Sequence, residues 1–361
     1  MVRADGGEKS LPGSARRGRW RHTFAAVDLG TNNCRLLVAR PRREGFTVTD
    51  AFSRTVRLGE GLSRSGRLSA AAMDRAIGAL KICADKIRRA RVSRIRAIAT
   101  EACRIAENGA EFLARAEAET GIALEMISTA EEARLAARGC VPLIDRTLDH
   151  VLVFDIGGGS TELIWLEVAT LPDGRTPLDA QPKIAGWASL PCGVVTLSER
   201  HAHAAGTPDA YRRMVEDVRG LLAEARARHV LPDASVVQSM HLLGTSGTVT
   251  TLAGLHLKLP RYERALIDGL WTDVDDLIAI ARRLATMSCD ERALEPCIGP
   301  DRADLVVAGC AILEAIHSVW PCARLRVADR GLREGILLGL MDEADREEGG
   351  RAPRRAASPL P

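Results

Sequence analysis

Two short phrases of this chain are variations on one pattern. Asp28-Leu29-Gly30-Thr31-Asn32-Asn33 follows the apolar run 24–27, and Asp155-Ile156-Gly157-Gly158-Gly159-Ser160 follows the apolar run 151–154. A second apolar-rich run succeeds each turn, residues 34–39 in one copy and 161–166 in the other. The shared order is strand, aspartate, glycine-bearing turn, strand, which confines each copy to a hairpin built into a core. A carboxylate that closes an apolar strand is costly unless it caps the adjacent turn or meets a cation. Two such turns facing one cleft would hold the phosphates of a polyanion on backbone N–H groups, while the carboxylates attend a divalent metal.

The copies lie in different halves of a 361-residue chain, long enough for two ordinary domains. Hydrophobic residues at 46% and charged residues at 27% give a soluble composition with real cores. With aromatics at 3%, those cores must rest on Ala, Leu, Ile and Val. No run has the length of a membrane span, and the N-terminus lacks the apolar stretch of a signal peptide. Nine cysteines without a CxxC pair point to buried thiols in a reducing cytoplasm. A net charge of +3 is too slight to argue for a nucleic-acid partner. Residues 1–21 and 343–361, rich in Arg with Gly, Ser, Ala or Pro, are expected to be disordered tails.

Between the copies the pattern alternates. Ser69 is placed to cap a helix with Met73, Ala76, Ile77, Leu80, Ala84 and Ile87 on one face. Residues 95–99 and 122–127 read as strands, and Asn108 with Glu111 marks another helix start. Such alternation predicts an α/β fold. Residues 142–150 read as a linker, 169–182 as a long hairpin loop, 305–319 as a helix, 324–327 as a last strand and 331–341 as a last helix.

Neither turn is a P-loop, because no GxxxxGK[ST] is present and each turn joins two strands. A tight turn with Gly30 or Gly157-Gly158-Gly159 can still aim successive N–H groups at one anion, with Thr31, Asn32, Asn33, Ser160 and Thr161 adding polar groups; the plainer alternative is a hairpin turn. Asp155 and Glu162, with Asp28 beside them, could hold a hydrated Mg²⁺, which leans on one or two carboxylates plus substrate phosphates; Glu162 is otherwise a solvated side chain. Glu132 admits two readings. Thr129-x-x-Glu132 fits a capping box, and the same carboxylate suits a general base for an attacking water. Arg104 has the planar donors that match phosphate. Gly244, Ser246, Gly247 and Thr248 form a third anion or nucleotide candidate at a helix start.

In the order and spacing of these phrases the chain resembles the exopolyphosphatase and guanosine pentaphosphate phosphatase family. The similarity runs from about Thr23 to Met341 and includes Ala99-Thr100-Glu101-Ala102-Cys103-Arg104, Glu131-Glu132-Ala133 and Asp329-Arg330-Gly331-Leu332-Arg333-Glu334-Gly335. The resemblance implies two RNase H-like domains of the actin-like ATPase and sugar-kinase superfamily around a central cleft. Domain I would span 22–140 and domain II 141–330, with a helix over 331–342 returning to domain I. No His-Asp dipeptide follows, so the likeness is to the short form. It implies Mg²⁺-dependent release of terminal phosphate from polyphosphate or guanosine pentaphosphate, with Glu132 catalytic at the domain junction and Arg104 and the Gly turns on phosphate. It places Asp155 and Glu162 on the metal side and the Gly244 loop at the superfamily's nucleotide segment. A kinase or ATPase of the same superfamily and a non-catalytic alarmone sensor stand as alternatives, and a homodimer stays open as an assembly.

Overall fold

Strand β1 (Phe24–Leu29) is buried along its whole length, since it has a neighbour on each edge and packed side chains on both faces. The computed structural model describes residues 18–43, 45–168, 182–201, 208–228 and 230–349. In domain I, β1 is followed by β2 (Asn33–Pro41), β3 (Phe46–Thr55), β4 (Arg94–Ala99) and β5 (Leu124–Met126), in the sheet order β3-β2-β1-β4-β5. β2 runs antiparallel to both β1 and β3, and β4 and β5 continue the sheet in parallel. Domain II contributes β6 (His150–Ile156), β7 (Thr161–Glu167), β8 (Lys183–Leu190), β9 (Met240–Thr245), β10 (Trp271–Asp273) and β11 (Arg324–Ala328). Its order, β10-β11-β9-β6-β7-β8, repeats the first sheet strand for strand, with β10 added antiparallel at the edge. The duplication visible in the turns is thus a duplication of whole sheets, the expected α/β pair.

Alternation sorts the side chains. Ala25, Val27 and Leu29 face one cluster with the helix Ala70–Arg89, whereas Phe24 and Ala26 face the C-terminal helix Leu332–Gly349. In domain II, Leu152, Phe154 and Ile156 face the larger core, and Val151 and Val153 face the helix Thr129–Cys140. These two helices cross backbone to backbone. A methyl group on Gly139 would lie 1.9 Å from Gly331 O, and one on Gly335 would lie 2.0 Å from Leu135 O, so only glycine permits the approach.

Several sequence expectations need correction. Residues 18–21 are a 3₁₀ turn, not a tail, because Arg19 pairs with Asp345 at 2.5 Å. The last helix runs to Gly349, past the expected 342. A helix does start after Asn108, spanning Gly109–Thr120, but the Asn108 side chain makes no cap bond and instead bonds both the N–H and C=O of Leu68, at 2.8 and 3.0 Å. Ser69 does cap, accepting from Ala72 N at 3.2 Å. The long loop expected at 169–182 lies, except Pro182, outside the described residues. Eight of the nine cysteines are buried, and no described helix is long and apolar enough to cross a membrane.

Candidate active site

Both turns close with the same hydrogen bond. Gly30 N–H donates to Asn33 O and Gly157 N–H to Ser160 O, each at 2.9 Å. The turns meet. A methyl on Gly158 would lie 2.9 Å from Thr31 Cβ and 3.1 Å from Asn32 N, and one on Gly159 would lie 2.9 Å from Thr31 Oγ1. Glycine at these positions lets two backbones approach one point, as a shared phosphate cradle requires. Asn32 Oδ1 is buried there without a hydrogen-bond partner, an atom that a ligand's donor would satisfy.

Carboxylates gather behind the turns. Asp28 and Asp155 end β1 and β6, and Glu162 stands opposite Asp155 on β7. Glu162 is buried rather than solvated, and its Oε1 accepts from Ser160 Oγ at 2.7 Å and Ser189 Oγ at 3.0 Å. Neither the Asp28 nor the Asp155 carboxylate accepts a hydrogen bond from a described residue. Burial raises all three, Asp155 to about 6 and Glu162 to about 7, and Arg35 offsets part of the rise for the two aspartates.

Glu132 joins them from the helix Thr129–Cys140. The cap of that helix sits one residue earlier than the sequence suggested: Ser128 Oγ accepts from Glu131 N at 3.2 Å, and Glu131 turns to Arg96 at 3.1 Å and to Arg134. Glu132 therefore does not close a capping box. It points to Arg104, whose Nη1 and Nη2 donate to its Oε2 at 3.2 and 3.3 Å. Burial first, then the charge of Glu162, pushes Glu132 up to about 9. Arg104 also donates to Glu101 Oε2 at 2.5 Å and Ile127 O at 2.8 Å. Here the guanidinium is held by carboxylates at the cleft wall.

A profile of the Ppx/GppA phosphatase family matches residues 37–344. The chain belongs to that family. Among solved structures, the Ppx/GppA family member of Aquifex aeolicus aligns at 27% identity with a TM-score of 0.71, covering 90% of this chain and 98% of that one. An exopolyphosphatase from Cytophaga hutchinsonii aligns at 25% identity and 0.76, over 89% and 98%. An exopolyphosphatase-like protein aligns at 29% identity and 0.77, over 90% and 98%.

The Ppx/GppA chain departs from the sequence reading at four site residues. Thr161 Oγ1 is spent on Cys192 O at 2.6 Å, fully buried and unavailable as an anion donor. Asn33 Oδ1 accepts from Thr55 Oγ1 at 3.3 Å, which turns it to its own sheet. Gly244 belongs to β9, where a methyl would lie 2.6 Å from the Phe154 ring, so its smallness serves packing. Thr248 is buried against Gly309. Ser246 and Gly247 remain at the head of the helix Gly247–His256, beside Asp155 through the pairing of Asp155 with Thr245.

Sequence reasoning also missed a strap. Residues 56–63 lie on the first turn, with Val56 and Arg57 N–H groups donating to Asn32 O and Gly59 N–H to Thr31 O. The strap then crosses the cleft: Arg57 pairs with Asp304 at 2.8 Å, and Glu199 takes Gly61 N–H at 2.8 Å and the Ser63 hydroxyl. The lobes are clasped in this state. Nothing in the composition of 56–63 marks it as a clasp, because its partners come from distant segments.

Proposed function

We propose that the chain hydrolyses the terminal phosphoanhydride of inorganic polyphosphate or guanosine pentaphosphate, with Glu132 as the general base. The observation that carries this reading is the meeting of the two Gly turns in front of Glu132. Anhydride hydrolysis asks chiefly for neutralised phosphoryl oxygens and an aligned water. With the Gly30 and Gly157 N–H groups closing their own turns, the amides of Thr31–Asn32 and Gly158–Gly159 supply donors for the oxygens. Arg104 occupies Glu132 Oε2, so Oε1 is the atom left to take the proton from water once a bound cation offsets the burial and the carboxylate repulsion that keep Glu132 protonated in the empty cleft.

The donor set fits a hydrated Mg²⁺. Among the described residues no three carboxylate, imidazole or thiol groups converge as a cage. Asp28 and Asp155 are buried acids without donors, and Glu162 keeps one oxygen free, which suits an ion that retains waters and uses substrate oxygens. Asp155 and Glu162, with Asp28 near, would hold it, and bound Mg²⁺ would supply charge neutralisation at the phosphoryl oxygens.

Phosphate release measured side by side on long polyphosphate, short polyphosphate, guanosine pentaphosphate and ATP tests the reading. Release from one of the first three, lost in Glu132→Gln, is expected. Transfer from ATP to an acceptor without release from polyphosphate overturns it in favour of a kinase.

A further inference from the structure

Arg104 serves two carboxylates, and it serves them unequally. Strand β4 ends at Ala99 and the short helix Glu101–Ile105 follows, so Glu101 and Arg104 stand one helical turn apart on the same side. Glu101 takes the shortest of the guanidinium's bonds, 2.5 Å from Nη2 to its Oε2. Nη1 donates to Ile127 O at 2.8 Å. The remaining bond of each terminal nitrogen converges on one oxygen of Glu132, Oε2, at 3.2 and 3.3 Å. An unshared arginine–carboxylate pair closes as a fork, one nitrogen to each oxygen, at about 2.7–2.9 Å. The Glu132 pair is longer than that and one-sided. Because Glu101 and Ile127 O already fill one place on each nitrogen, Arg104 does not straddle Glu132.

Glu101 is itself held from across the cleft. A methyl on Gly159 would lie 2.9 Å from Glu101 Cγ and 3.4 Å from its Cβ, so the stem of this domain I side chain rests on the second Gly turn. Its charge also reaches Glu162, where it adds to the repulsion among the carboxylates. The side chains of Glu101, Arg104 and Glu132 are all mostly buried. A buried carboxylate beside a phosphate cradle works against the binding of a polyanion, so its place there is not explained by substrate affinity. Its hold on Arg104 does explain it. With Nη2 drawn to Glu101, the guanidinium engages Glu132 through Oε2 alone, and Oε1 is left to a water.

We infer that Glu101 is a positioning residue for the general base: by occupying Nη2 of Arg104 it confines that arginine to one oxygen of Glu132 and keeps the other for the attacking water. It acts through Arg104 and touches neither the water nor the phosphate. Without it the fork is free to close on both oxygens of Glu132. This rests on the phosphohydrolase reading and adds to it the residue that keeps half of the base open. The test compares Glu101→Met with Glu101→Gln. Both keep a stem of similar length against Gly159, and only glutamine keeps an oxygen that accepts from Nη2. Steady-state phosphate release is measured on inorganic polyphosphate and on guanosine pentaphosphate. Glu101→Met should lower kcat at least tenfold and move KM less than twofold, with Glu101→Gln recovering most of the rate. In an Arg104→Ala protein the change Glu101→Met should cost less than a further twofold, because the residue it acts through is gone. A kcat within twofold of native in Glu101→Met overturns the assignment. So does a loss carried by KM, a loss that glutamine fails to recover, or a tenfold loss that persists beside Arg104→Ala, each of which would make Glu101 a prop for the Gly159 turn. Failure of the underlying reading looks different: a native protein that releases no phosphate, or a Glu132→Gln protein that releases it undiminished, removes that reading and the assignment with it.

Discussion

Replacing Glu132 by Gln should make the protein more stable while removing its activity. The Glu132 side chain is 12% exposed and sits among Glu162, Asp155 and Asp28. Its carboxyl is raised from 4.5 to about 9. The sign follows from linkage: between those values the unfolded chain releases a proton that the folded chain keeps, so stability falls as pH rises. At about pH 7.5 the penalty is about 1.4 kcal/mol for each of roughly three pH units, on the order of 4 kcal/mol. An amide avoids it but loses a charge-assisted bond from Arg104, which costs about 1.5–3 kcal/mol. The net gain is about 1–2 kcal/mol, or roughly 1–3 °C in Tm for a chain of this size. Calorimetric scans of both proteins without metal at about pH 5, 6.5 and 8 would show Glu132→Gln ahead at pH 8, nearly level with the native protein at pH 6.5 and behind it at pH 5, where the lost Arg104 bond outweighs the small penalty. A Glu132→Gln midpoint at or below the native one at pH 8, or a gap indifferent to pH, refutes the electrostatic account.

Other perturbations reach other parts of the argument. Gly158→Ala should part the two turns, since its methyl would meet Thr31 Cβ at 2.9 Å; phosphate release should fall about 10–100-fold with little change in Tm, and undiminished turnover would show that contact to be dispensable. Gly139→Ala drives a methyl to 1.9 Å from Gly331 O and should cost about 3 kcal/mol by urea denaturation, a value near zero meaning that the helices slide freely. Burial lowers His241 from 6.5 to about 4, so the unfolded chain gains a proton first on acidification; stability should drop by about 2–3 kcal/mol across that window, and His241→Gln should flatten the slope. An unchanged acid limb in that variant would place the sensitivity elsewhere.

What the sequence disclosed was whatever is coded by local period and local hydrogen bonding. The hairpins at Asp28 and Asp155, the Ser69 cap and the α/β alternation depend on neighbours a few residues apart, and they stand where the spacing put them. Glu162 was ambiguous because alternation gives a face, not what covers that face. Ser128 rather than Thr129 caps the helix because two adjacent hydroxyls compete and the chain's entry angle decides. Thr161, Gly244 and Asn108 looked available only because their partners, Cys192, Phe154 and Leu68, are far along the chain.

The crossing helices carry a further implication for how the molecule comes apart. Thr129–Cys140 follows the strands of the first sheet yet seals the second, through Ala133, Ala136, Ala137 and Cys140 against Val151, Val153 and Ile164. Leu332–Gly349 follows the second sheet yet seals the first, through Ile336, Leu337, Leu340 and Met341 against Phe24, Ala26 and Ile98. Each half is laced shut by a segment belonging in sequence to the other. Severing the chain between them would strip an apolar face from both pieces at once, so the halves should melt together as a single cooperative unit.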